Sequence, residues 1–257
     1  MTNSQEAATT TSTSIHAHHG EAQPALVLVN LGTPTAPEPG PVRAFLREFL
    51  SDRRVIEMSP LLWKPILEGI ILRVRPREVA GKYRSIWMDE GSPLMHYTRE
   101  QARLLGERLP GARVEVAMRY GQPSIGSVLD RLYAEGVRRV AILPAYPQYA
   151  ASTVTTINDA VAQWIGRNRD GFELRLHRSF PAAPAYIEAL ATALERHWER
   201  VGRPNFLTGD RVVVSFHSIP VSMDEAGDPY RAECRHTVAA LESRLGLAMG
   251  SLTATFQ

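Results

Sequence analysis

Arg211-Val212-Val213-Val214-Ser215-Phe216-His217-Ser218-Ile219-Pro220 is the stretch whose reading decides the fold. Three consecutive β-branched residues make a short apolar run of the kind that forms a buried parallel strand. Pro220 cannot donate to a strand ladder, so the strand ends beside His217. A histidine just past the carboxyl end of a parallel strand stands where open α/β sheets place their ligands. Imidazole is also the side-chain type that exchanges protons and binds metals near neutral pH. The competing reading is a loop histidine satisfied by its own backbone surroundings.

On the carboxyl side, Asp228-Pro229-Tyr230 starts a helix, with Asp228 as N-cap and Pro229 at the first helical position. Tyr230, Cys234, Val238, Leu241 and Leu245 share one face of it, which makes Cys234 a core thiol rather than a nucleophile. Residues 251–257 read as a further strand. Two strands with one crossover helix leave a sheet half covered, so a truncated chain is the expectation.

On the amino side the same alternation repeats. Residues 25–31 form a buried-type strand that ends in Gly32-Thr33-Pro34, a turn expected to let the backbone approach a ligand closely. No second and third glycine follow at dinucleotide spacing, which sets a nucleotide-binding protein aside. Val42, Phe45, Leu46, Phe49 and Leu50 form a helical stripe. Leu61 to Leu72 is apolar enough for a core-facing helix, or else for a lip over a pocket or a surface that touches a membrane. Helices at about 96–109, 125–135 and 153–166 alternate with strands at 112–120, 137–143 and 172–176, and a long helix spans 185–201. Strand–helix alternation of this kind makes the fold class α/β, with two Rossmann-like parallel-sheet halves, the second incomplete. The expected divisions are a disordered tail (1–24), a first half (25–180), a connecting helix and linker (181–210) and the start of a second half (211–257).

Composition narrows the function. A net charge of +2 without a basic stripe argues against nucleic acid. One cysteine excludes an internal disulfide framework, fits a reducing cytosol, and cannot hold an iron–sulfur cluster within this chain. No run of roughly 20 apolar residues spans a membrane, and the first 24 residues lack a signal-peptide core, so a cytoplasmic location is expected. His16, His18 and His19 in that tail have no fixed geometry for a metal.

Taken in order, Val29-Asn30-Leu31-Gly32-Thr33-Pro34, Lys82-Tyr83-Arg84, Gly91-Ser92-Pro93, Arg119-Tyr120, Tyr146-Pro147-Gln148-Tyr149, Ser215 to Pro220 and Gly227-Asp228-Pro229-Tyr230 resemble ferrochelatase. The resemblance runs from about residue 25 to the last residue, and it is the ordered set that is specific. It implies insertion of Fe²⁺, as substrate metal, into protoporphyrin IX to form protohaem. It implies His217 as the metal-site and proton-accepting residue. Asn30, Leu31, Lys82, Tyr83, Ser92, Arg119, Tyr120 and Tyr149 would then contact the porphyrin, Leu31 facing the macrocycle and Arg119 and Tyr120 at the pocket wall. The family's second catalytic group, an acid in a late Asp-His-x-Glu-like segment, has no match before Gln257, nor does its closing helix. A catalytically incomplete porphyrin-binding fragment, or a chelatase for coproporphyrin or another metal or tetrapyrrole, is the alternative. The partner is therefore a porphyrin, with no nucleic acid, and the apolar segment allows a weak membrane-surface contact. The oligomeric state is not encoded in these features.

The chemistry suits those residue types. A free-base porphyrin loses two pyrrole protons while the iron loses water, and a neutral imidazole serves as ligand or as base. Apolar walls bind the flat macrocycle and supply the energy that bends it. Propionates at the rim call for Arg, Lys, Tyr or Ser donors. Arg119 has a second reading as a structural ion-pair partner, and Tyr146 and Tyr149 as packing residues.

Overall fold

The computed structural model describes residues 22–257. His16, His18 and His19 lie outside the described residues. Ala22 already packs against the first core, and the Pro24 carbonyl accepts the Arg113 amide at 2.9 Å.

Four parallel strands, β1 (Ala25–Gly32), β2 (Arg113–Tyr120), β3 (Arg139–Pro144) and β4 (Glu173–Leu176), form one sheet in the order β2-β1-β3-β4. Register follows from central pairing: Val27 lies opposite Glu115 on one side and Ile142 on the other. The helices are α1 (Pro39–Leu50), α2 (Pro60–Ile66), α3 (Leu72–Ile86), α4 (Pro93–Arg108), α5 (Ile125–Ala134) and α6 (Thr156–Arg167). Val27, Val29 and Ile142 pack with Leu129 of α5 and Trp164 of α6. Leu28 and Leu143 face the opposite side, towards Leu104 and Leu105 of α4. Both faces are covered, which is why β1 is a continuous apolar run.

The second sheet pairs β5 (Val212–Phe216) in parallel with β6 (Leu252–Phe256). Helices α7 (Pro184–Val201) and α9 (Tyr230–Arg244) cover one face, where Ile187, Trp198, Leu241 and Leu252 form a second core. Helix α7, expected in the connecting segment, thus packs with the second sheet. A short helix, α8 (Val221–Glu225), links β5 to α9. The strand expected to be buried is half exposed: Val213 is 59% exposed and Ser215 also faces outward. With helices on one side only, alternate side chains of β5 have nothing to pack against. Asp228 acts one position further out than expected, its Oδ1 accepting the Tyr230 amide at 3.0 Å while Pro229 takes the cap position.

Two further expectations are corrected. The segment from Leu61 to Leu72 is not a core-facing helix. It runs from α2 through a π-helical turn (Leu67–Ile71) into α3, burying Leu67 and Leu72 but leaving Leu61 87%, Leu62 66% and Ile70 61% exposed. The π-turn inserts an extra residue and rotates the apolar stripe away from the body of the protein. Gly32 does permit a close approach, but to the chain itself: at φ +111°, a Cβ there would sit 1.8 Å from the Tyr120 carbonyl oxygen.

Cys234 is fully buried in α9, and burial pushes its thiol up to about 11. No helix among the described residues is long and apolar enough to cross a membrane.

Candidate functional site

In the order β2-β1-β3-β4 the chain leaves β1 to one side and returns to the other, so the switch point lies between the carboxyl ends of β1 and β3. Ligands of open α/β sheets bind at that crevice. Here it opens into a cavity of about 360 Å³, within the range of small-molecule sites. Its first wall is Leu31 near the carboxyl end of β1, Phe49 of α1, and Tyr146, Pro147, Gln148 and Ala150 from the loop after β3. Its second wall is His217, Ser218, Ile219 and Pro220 after β5, with Met223 and Tyr230. The carboxyl ends of both sheets thus converge on one apolar cleft. A larger cavity, about 420 Å³, lies at the opposite, amino-terminal ends of β1 and β3, where such sheets do not bind ligands.

His217 is the one imidazole in the cleft lining, exposed on the β5 side. The Ser218 amide donates to the Gln257 carbonyl at 2.8 Å, which continues the β5–β6 ladder and fixes the backbone beside the ring. Among the described residues no group of three or more His, Cys, Asp or Glu side chains could hold a metal ion.

The phenols of Tyr146, Tyr230 and Tyr120 are all shifted upward. Burial drives the Tyr146 hydroxyl well above the usual phenol range, and that hydroxyl has no hydrogen-bond partner. Burial likewise raises Tyr230, an effect opposed in part by a hydrogen bond from the His217 backbone. Tyr120 is raised by burial first, then by the adjacent Asp52 carboxylate, while Arg119 opposes.

Arg119 and Tyr120 lie behind this wall rather than in it. The Arg119 Nη2 donates to Asp52 Oδ2 at 2.5 Å, and the Tyr120 hydroxyl donates to the same oxygen at 2.9 Å. Asp52, just past α1, has no counterpart among the sequence candidates. Its side chain is only 9% exposed, so the guanidinium is neutralised in place and is not a free anchor for a carboxylate. Asp52→Ala should leave that charge buried and unpaired, at a cost of about 3 kcal/mol. A urea-denaturation free energy within about 0.5 kcal/mol of wild type would show that the pair contributes little.

The other sequence candidates divide. Leu31 lines the cleft. Asn30 is turned away from it, donating to the Thr98 hydroxyl at 2.9 Å and accepting the Leu31 amide at 2.8 Å. Ser92 is buried and accepts a hydrogen bond from the Thr33 hydroxyl at 2.8 Å, tying the α4 entry to the end of β1. Lys82 pairs with Glu78 on the exposed face of α3, and Tyr83 packs edge-on against Trp87; neither lines the cleft. The Tyr149 hydroxyl lies 2.6 Å from the Thr155 hydroxyl, and its ring sits under the Arg178 guanidinium. The loop continues into a π-helical turn, Ala151–Thr155, whose Ser152 and Thr153 reach the cleft.

Comparison with known proteins identifies relatives of the whole described chain. The family model described as Ferrochelatase matches residues 23–257. A ferrochelatase of Methylibium petroleiphilum is 47% identical over 246 residues, covering 94% of this chain and 66% of that protein. One of Azoarcus sp. is 46% identical over 245 residues, with 94% and 66% covered. Ferrochelatase 1 of Shewanella oneidensis is 45% identical over 237 residues, with 90% and 70% covered. The chain thus spans about two thirds of the length of these relatives.

Proposed function

Because the chain belongs to the ferrochelatase family, we propose that the whole protein inserts Fe²⁺ into protoporphyrin IX to form protohaem. The observation that carries this reading is the convergence of Leu31, Tyr146 and His217 on one apolar cleft at the switch point. A flat macrocycle fits between two walls that come from different sheets. Leu31 and Ile219 contact its faces, and His217 meets the ring nitrogens from the β5 side as ligand for the incoming iron or as acceptor of a pyrrole proton. The buried phenols are neutral donors and do not compete for that proton. We assign substrate contact to Leu31, while Asn30, Ser92, Arg119, Tyr120 and Tyr149 hold the walls in place from behind. Lys82 and Tyr83 would reach a propionate only from outside the cleft. Protoporphyrin, rather than coproporphyrin, and a cytoplasmic location are parts of the same proposal.

We read the chain as two halves, 25–180 and 211–257, joined by 181–210, with α7 adding to the second core. A porphyrin-binding unit that lacks catalysis is the second reading, since these residues supply His217 without an acidic partner in the lining. Anaerobic incubation of the chain with Fe²⁺ and protoporphyrin IX separates the two. Insertion above the uncatalysed rate supports the enzyme, saturable quenching without insertion supports the binding unit, and neither signal removes both.

The exposed stretch Leu61, Leu62, Ile70 and Val74, flanked by exposed Lys64, Arg73, Arg75 and Arg77, carries the proposed weak membrane-surface contact. Cosedimentation with anionic phospholipid vesicles should fall about tenfold in Leu61→Glu/Leu62→Glu. Equal pelleting of both proteins would remove this surface from the account.

A further inference from the structure

The loop after β3 and the start of α9 are about 80 residues apart in sequence, yet they are bonded at three points. The Tyr149 amide donates to Glu233 Oε2 at 2.7 Å, and the Ala151 amide donates to Asp228 Oδ2 at 2.7 Å. Gln148 Nε2 donates to the Thr237 hydroxyl at 2.8 Å, and that hydroxyl donates onward to the Pro181 carbonyl at 2.7 Å. Glu233 and Thr237 are one helical turn apart, so α9 presents them on a single face. Glu233 is only 7% exposed, a burial unusual for a carboxylate unless its charge is answered. The answer is Arg178, whose Nη1 donates to Glu233 Oε1 at 2.6 Å while its guanidinium lies 4.6 Å above the Tyr149 ring. One carboxylate therefore grips the backbone of Tyr149 with one oxygen and, through Arg178, holds its ring with the other.

The same two segments form opposite walls of the cleft. Tyr146 and Ala150 belong to the pinned loop, and Tyr230 of α9 stands against the His217 backbone. We infer that Glu233 is a positioning residue: its contacts with Tyr149 and Arg178 clasp the loop after β3 to α9 and set the separation between the Tyr146 and His217 walls. This rests on the reading of the cleft as a porphyrin seat. Glu233 does not touch the cleft and takes no part in metal or proton transfer. It acts on how well a rigid ligand fits.

The test uses Glu233→Ala and Glu233→Gln in the intact chain. Amide hydrogen exchange reads the clasp without any ligand. In Glu233→Ala the Tyr149 amide should exchange about tenfold faster, whereas the Ala151 amide, held by Asp228, should change less than about twofold. Protoporphyrin IX affinity, read by fluorescence quenching, should weaken about tenfold, and Glu233→Gln, which keeps an acceptor for the Tyr149 amide, should recover part of it. Unchanged Tyr149 exchange would overturn the clasp. Freed Tyr149 with unchanged affinity would overturn its positioning role. Equal acceleration at Tyr149 and Ala151 would reduce Glu233 to general stability and overturn it as well. Should Glu233→Ala fail to fold, Arg178→Leu carries the same test, with weaker porphyrin binding expected and unchanged binding contradicting. If the wild-type chain takes up no porphyrin, the reading of the cleft fails, and Tyr149 exchange alone decides the clasp.

Discussion

Gly32→Ala should abolish stable folding. At this position the backbone has φ +111°, and the added methyl carbon would lie 1.8 Å from the Tyr120 carbonyl oxygen. The obstacle is backbone at the end of a neighbouring strand, so no side-chain rotation relieves it. The left-handed region alone costs a non-glycine residue about 1–2 kcal/mol. Separating the ends of β1 and β2 would also disturb Asn30, Ser92 and the Asp52–Arg119 pair, which are anchored there. A total loss above about 4 kcal/mol is expected, a large share of the 5–15 kcal/mol that usually holds a domain together. Urea denaturation checks it: no cooperative transition, or a midpoint far below wild type. A midpoint close to wild type would mean that the paired ends of β1 and β2 separate at little cost.

His217→Ala should act in the opposite way, on chemistry rather than on the fold. The residue is exposed on the cleft wall, and the strand before it is held by backbone bonds to β6 that alanine preserves. Stability should stay within about 0.5 kcal/mol of wild type. On the proposed function, iron insertion by the whole protein should fall about 10²–10⁴-fold, the range for loss of a positioned acid–base group. Porphyrin binding should survive, because the apolar walls remain. Near-normal insertion by this variant would remove His217 from the metal site.

The elements were readable where local pattern suffices. The continuous apolar run of β1 and the stripe Ile125, Val128, Leu129 and Leu132 reflect burial that the structure confirms. The same logic failed for Val213 and for Leu61 and Leu62, because apolarity does not say whether a covering element is present. Of the site, His217 and Leu31 were visible as motif residues beside strand ends. Asp52 and Glu233 were not, because their partners, Arg119 and the Tyr149 amide, lie 67 and 84 residues away. A lone carboxylate after a helix or in a first turn reads as an ordinary solvated end, and only tertiary structure shows it buried. Gly32 was recognised as a site of close approach, but the sequence could not tell a ligand from the chain's own backbone.

The proposed function requires the cleft between the two sheets to be the seat of the macrocycle. A crystal structure of this chain with a metal-free porphyrin tests it most directly. The ring is expected between Leu31 and Ile219, with its nitrogens towards His217. A ring seated on the exposed Leu61–Val74 segment or on the open face of β5, with the cleft empty, would contradict the account.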